Sequence, residues 1–268
     1  MADIGCGVDG RLAATFHGDA AHPRATIEDL AAPLELRGPF VRDGLSHFYL
    51  RNISSGIFGG DRYDVRLGAL PGARAVVRST SATKVHAMPD RAACSRATLH
   101  AASGAILVYA DGPLILQSDA DLRQRVELSC DAGGIVAYAE ILVMGRLASG
   151  EVVRFRRFDI EIVVQAAHTE VSYVERSSLA PETQRSSIMD ASRTVVGTLV
   201  VAGVVPPPER FWQRLELDGD EYRAGYDTLP TGAGVVLRAV GSTLEPISRL
   251  LDAAVASVTS LTAAGQTE

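Results

Sequence analysis

The chain has 268 residues, 47% of them apolar and 22% charged, enough to bury the core of one large all-β domain or two small ones. A formal charge of −6 argues against a general nucleic-acid binder, and no apolar run reaches the roughly 18 residues a membrane helix needs. The start MADIGCGVDGRLAA has neither the basic head nor the long apolar stretch of a secretory signal, and three cysteines (Cys6, Cys94 and Cys130) without a Cys-x-x-Cys pair do not make a disulfide framework. The expectation is a cytoplasmic protein with no nucleic-acid or membrane partner.

In chain order, residues 1–24 are mixed in composition and read as a variable segment lying partly at the surface. Residues 25–32 carry no clear pattern. Residues 33–50 hold two apolar arms around Arg42-Asp43-Gly44, which predicts a hairpin with an Asp-Gly turn. Residues 51–62 are a loop rich in Gly and Ser. A strand–turn–strand unit then recurs about every thirty residues: RYDVRLGALPGARAVVRST, SRATLHAASGAILVYA and LRQRVELSCDAGGIVAYAE, with turn glycines Gly72, Gly104 and Gly133. Residues 155–175, FRRFDIEIVVQAAHTEVSYVE, look like a fourth copy that lacks the glycine. Residues 177–193 are polar and predict a long loop, with a short helix near residues 181–185. Residues 194–205 predict a buried strand stopped by Pro206 to Pro208. Residues 211–217 and 222–227 are weaker strand patterns, and residues 234–240 a stronger one. Ser242 and Thr243 can then cap a helix with Glu245 and Pro246 in its first turn and Ile247, Leu250, Leu251, Ala254, Val255 and Val258 along one stripe. The reading is a mainly β fold of stacked strand–turn–strand repeats, a β-solenoid or layered β-sheet, with a C-terminal helix packed on the sheets. One domain spans residues 25–260, and a disordered tail follows from 261.

Chemistry is sparse along this chain. There is no P-loop, no Gly-x-Ser-x-Gly elbow and no His-Glu-x-x-His. The six histidines are scattered, so a fixed metal site is not expected; His86, near Lys84, Met88 and Asp90, is the one that could meet a passing metal. In SSGIFGGD, Gly59, Gly60 and Asp61 read as a tight turn that needs positive φ, with Asp61 bonding the backbone. Glu140 stands inside the apolar run AYAEILVMG, where a carboxylate must face water, pair with an arginine such as Arg146, or line an internal passage. Asp111, Asp119 and Asp121 read as turn residues.

Taken together, SGIFGGDR (residues 55–62), SATK (81–84), EILVMGRLASGE (140–151), VGTL (196–199) and the closing strand and helix resemble the urease accessory protein UreD family, called UreH in some bacteria. The resemblance covers roughly residues 33–258. The chain departs from the family pattern in ADGPLILQSDA after Tyr109 and in having Ser81 where a glycine is usual. The resemblance implies a non-enzymatic urease-maturation chaperone that binds the urease apoprotein subunits, recruits UreF and, through it, the GTPase UreG, and binds no permanent cofactor. It also implies that nickel passes transiently through an internal water-filled tunnel. On that reading Gly59, Gly60 and Asp61 shape a turn, Lys84, Arg146 and Glu151 serve docking or structure, and Glu140 is the candidate tunnel carboxylate. Two other classes fit a stacked β architecture. A polysaccharide-active β-solenoid enzyme would need clustered acids and more aromatics than 6%, and an adaptor for an unrelated complex is left open by fold alone.

Overall fold

A computed structural model of the chain describes residues 7–18, 22–42, 44–166, 173–182, 193–203, 215, 217 and 219–261. Cys6, Asp43, His168, Pro206 to Pro208, most of residues 211–217, residues 183–192 of the polar loop and the tail from Ala263 lie outside them.

Among the described residues there are sixteen strands and one long helix: β1 (Asp9–His17), β2 (Arg24–Ala31), β3 (Leu34–Arg42), β4 (Leu45–Asn52), β5 (Arg62–Ala69), β6 (Arg74–Ser79), β7 (Thr83–Val85), β8 (Ala93–Ala101), β9 (Ile106–Leu116), β10 (Asp121–Cys130), β11 (Ile135–Val143), β12 (Arg157–Ala166), β13 (Tyr173–Leu179), β14 (Val195–Ala202), β15 (Tyr222–Thr228), β16 (Gly234–Gly241) and α1 (Leu244–Thr259). They form two sheets. Sheet I has the order β13-β12-β10-β8-β5-β1-β2; sheet II has β15-β16-β14-β11-β9-β6-β4-β3, with β7 also paired to β9.

Each repeat is one coil of a solenoid. Its first arm (β5, β8 or β10) lies in sheet I and its second (β6, β9 or β11) in sheet II, and equivalent arms pair in parallel. The crossing is a four-residue turn closed by a backbone hydrogen bond: Ala73 N to Leu70 O (3.0 Å), Ala105 N to Ala102 O (2.9 Å) and Gly134 N to Asp131 O (2.9 Å). The third residue of each turn has φ of 76°, 72° and 76°, at Gly72, Gly104 and Gly133, the conformation a type II turn reserves for glycine. The turns stack, with Ala102 N donating to Ala69 O and Asp131 N to Ala101 O.

The fourth copy is not a coil. β12 joins sheet I in parallel beside β10, but β13 folds back antiparallel on β12 in the same sheet instead of crossing. Its sequence YVERSSL alternates half-buried and exposed positions, as suits an edge strand, and lacks the continuous apolar run needed in sheet II. β14, VVGTLVVA, takes that place beside β11. The loop expected from Ser177 is also corrected, since Ser177, Ser178 and Leu179 complete β13. Residues 9–17 belong to the core: β1 runs parallel to β5, and Leu12, Ala14 and Phe16 are buried. β2 and β3 follow, and the hairpin β3–β4 pairs Arg42 with Leu45 as expected.

Inner faces of the two sheets share one apolar core, with Phe16 packed on Phe48 at 4.6 Å. A second core lies on the far side of sheet II, where the predicted stripe of α1 covers Ile106, Val108, Ala137 and Leu199. Gly197 permits this approach, because a Cβ there would lie 2.7 Å from Ile247. The central strands of sheet II under α1 are thus covered on both faces, and β11 is buried at every position.

Candidate functional site: a polar cavity between the sheets

Opposite the glycine turns, the chain returns from sheet II to sheet I through loops that stack on one another. Ile57 N donates to Lys84 O (2.8 Å), Gln117 N to Val85 O (3.0 Å), and Asp119 N to Arg154 O (2.9 Å). Asp61 is buried in the first of these loops, where its two carboxylate oxygens accept from Val8 N and Phe58 N, each at 2.8 Å. Gly60 has φ of 85°, as the turn requires, and Gly59 passes close to the Arg91 carbonyl, which a Cβ would meet at 2.9 Å. In the last return loop Arg146 Nε donates to Glu151 Oε2 (3.0 Å), and Glu151 Oε1 accepts from Ser118 N (2.9 Å), so this ion pair ties two loops together. Arg146 chiefly holds the Glu151 carboxyl below the usual carboxylate range, against burial, with the Ser118 amide adding a smaller pull in the same direction as Arg146.

Between the sheets, at this end, lies a cavity of about 490 Å³. Its exposed rim includes Ser54, Ser55, Thr80, Ser81 and Lys84; its deep wall includes Tyr109, Asp111 and Gln124. Ser79 Oγ donates to Asp111 Oδ1 (2.5 Å), which also accepts from Gly112 N (3.0 Å). Asp111 is enclosed by protein yet half-exposed to the cavity itself, and burial raises its carboxyl above the ordinary value against the hydrogen bonds of Ser79 and Tyr109. Glu140 stands one layer deeper. It is 5% exposed and accepts from Tyr138 Oη (2.8 Å) and from Gln124 Nε2, whose amide also donates to Tyr138 Oη (2.7 Å). Burial pushes the Glu140 carboxyl up to about 7, opposed by the bonds from Tyr138 and Gln124. The rings of Tyr109 and Tyr138 lie 5.9 Å apart, and burial raises both phenols well above their ordinary range.

Of the residues singled out in the sequence, Gly59, Gly60, Asp61, Lys84, Arg146 and Glu151 come together on the return-loop end, and Glu140 faces the interior. Arg146 pairs with Glu151 and not with Glu140. Lys84 lies on the short strand β7, exposed. The grouping suggested around His86 does not form: Met88 is fully buried, and the His86 ring stacks on Phe58 at 4.4 Å while Nε2 donates to Ser55 O (3.1 Å). Among the described residues no group of three or more His, Cys, Asp and Glu side chains is placed to hold a metal ion. Asp111 was missed as a turn residue; it lies within β9 and lines the cavity. The repeat carried the signal, because Tyr109-Ala110-Asp111 and Tyr138-Ala139-Glu140 are the same pattern on adjacent coils, with Tyr109 and Tyr138 in register.

This is a β-solenoid whose interior holds hydroxyls, phenols and two carboxylates. The profile of the UreD urease accessory protein family matches residues 8–267, and the chain belongs to that family. It is 29% identical over 256 residues to the urease accessory protein UreD of Haloarcula marismortui, covering 92% of this chain and 85% of that one. It is 30% identical over 248 residues to UreD of Natronomonas pharaonis, covering 89% and 83%. With the urease accessory protein UreH of Helicobacter pylori strain G27 it shares 30% over 166 residues, 61% of this chain and 62% of that one. Membership supports a role in urease maturation.

Proposed function

We propose that the chain is a non-enzymatic scaffold of urease maturation that binds the urease apoprotein, recruits UreF and through it UreG, and lets nickel pass through its interior toward the urease active site. The observation that carries this reading is the polar cavity with Asp111 at its wall and Glu140 behind it, in a member of a urease accessory family. A passing cation must exchange part of its water shell for oxygen ligands and then leave, so isolated carboxylates and hydroxyls suit the task better than a closed ligand set. The nickel is cargo and the chain has no resident cofactor on this reading. The stacked return loops, with Lys84, Arg146 and Glu151 on them, are the docking end. The test is co-purification of the chain and its Glu140→Ala variant with apo-urease, UreF and UreG, with nickel counted in the urease recovered. The expected result is an intact complex in both cases and less nickel with the variant. A complex that never forms with the wild-type chain overturns the scaffold reading, and equal nickel with both chains removes Glu140 from the path.

A further inference from the structure

Sheet II is interrupted beside the cavity. β6 pairs with β9 as far as Arg78 opposite Ala110, and β7 resumes only at Thr83 opposite Leu114. On the other side of β9 the register slips between Ala139 and Ile141, so Glu140 stands opposite the extra residues Asp111 and Gly112. Residues 111–113 therefore have no ladder partner on the β6/β7 side, and Asp111 and Gly112 form a bulge on the β11 side before pairing resumes at Pro113 opposite Ile141. Gly112 is the residue that fits there, since a Cβ would meet the Ser81 carbonyl at 2.7 Å. Pro113 has no backbone donor to leave unpaired.

Directly behind this gap, on the α1 side of the sheet, is a second cavity of about 180 Å³. Ser79 and Asp111 line both cavities. The outer one is walled by Ala139 and Ile141 and by Leu251 and Val255 of α1, and at its edge Arg78 Nη1 meets Asp252 Oδ1 at 2.7 Å. A hydrogen bond between a serine and an aspartate, with a sheet gap around it, is thus what separates the interior from a pocket beside the helix.

We infer that the interior cavity has a second, lateral opening through sheet II, with the Ser79–Asp111 pair as its gate and the Arg78–Asp252 pair as its outer latch, and that it passes hydrated divalent cations. This rests on the nickel-passage reading above and specifies where that path leaves the sheets. Rotation of the small Ser79 side chain removes one of the two hydrogen bonds on Asp111 Oδ1, leaving that from Gly112 N, without moving the backbone. Asp111 and Asp252 give the route a carboxylate at each end, which favours cations, while between them Ser248 stands among aliphatic side chains, too few ligands to retain one. Arg78 supplies the opposing charge, so release at the outer end requires the latch to part.

The test uses the full maturation mixture of apo-urease, UreF, UreG, nickel and this chain. Ser79→Leu fills the gap from the β6 side. Asp252→Lys places a cation at the outer mouth and lies on an exposed helix position, so it tests the route even if the first variant fails to fold. Glu245→Lys, an exposed site on α1 that lines neither cavity, controls for the change of charge. The expected result is a several-fold fall in nickel per urease with Ser79→Leu and with Asp252→Lys, unchanged complex formation, and no fall with Glu245→Lys. Full nickel loading with both portal variants, while omission of the chain abolishes loading, overturns the lateral opening and leaves the maturation role standing. Loading that does not depend on the chain at all overturns both.

Discussion

At the scale of single residues, Glu140 is the strongest test of the interior. Its folded pKa of about 7 lies above the ordinary 4.5 because burial penalises the carboxylate. The unfolded chain therefore releases this proton first as pH rises, and the favourable protonated state, complete below about 4.5, is lost through about 7, a difference on the order of 3 kcal/mol. Glu140→Gln cannot ionise, so its melting temperature should gain on the wild type between those two pH values and level off above; a gap independent of pH would show that Glu140 titrates normally. Asp61 makes a second prediction. Asp61→Ala strands the amides of Val8 and Phe58, and urea denaturation should show a loss of about 2 kcal/mol, with Asp61→Asn between the two. Asp61 was legible in the sequence because a turn acid after Gly-Gly has few other uses. Asp111 was not, because the dipeptide Asp-Gly signals a turn locally and only the alignment of the coils shows it beside Glu140.

At the scale of elements, the turn glycines separate backbone strain from collision. A Cβ on Gly72 meets nothing within 4 Å, so Gly72→Ala should cost only the left-handed conformation, about 1–2 kcal/mol. A Cβ on Gly203 would lie 2.0 Å from the Gly134 carbonyl, so Gly203→Ala should unfold at markedly lower urea than Gly72→Ala; equal midpoints would contradict the stacked-turn geometry. The three coils and α1 were readable because each rests on a local signal, a turn glycine or a stripe at helical spacing. The fate of β13 was not, because its sequence is compatible with a crossing or with a fold-back, and the choice depends on β14, which arrives some twenty residues later with a better apolar match to β11. β2 and β15 were faint for a related reason: edge strands bury little and need no strong alternation.

At the scale of the whole molecule, the solenoid has two unlike ends joined by an interior. Glycine turns close one end. The return loops close the other and carry Asp61 and the Arg146–Glu151 tie, with Lys84 at the rim of the cavity. Glu151→Ala would leave the Ser118 amide and the Arg146 guanidinium without that carboxylate, and should weaken co-purification with partner proteins more than it lowers the melting temperature; a matched loss of both would make the pair purely structural. Much of this plan follows from the repeat period, which sets strand pairing and so the position of every loop. The cavity does not, since it forms where inward residues of two sheets fail to fill the space between them, a property of packing that no stretch of sequence displays. If this chain helps urease receive its nickel, loading must depend on its presence. The direct measurement is urease activity and bound nickel in cells that express the urease subunits and the other accessory proteins, with and without this chain. The expected result is inactive, nickel-poor urease on omission and recovery of activity and nickel when the chain is restored. Urease that is equally active and nickel-loaded in its absence would contradict it.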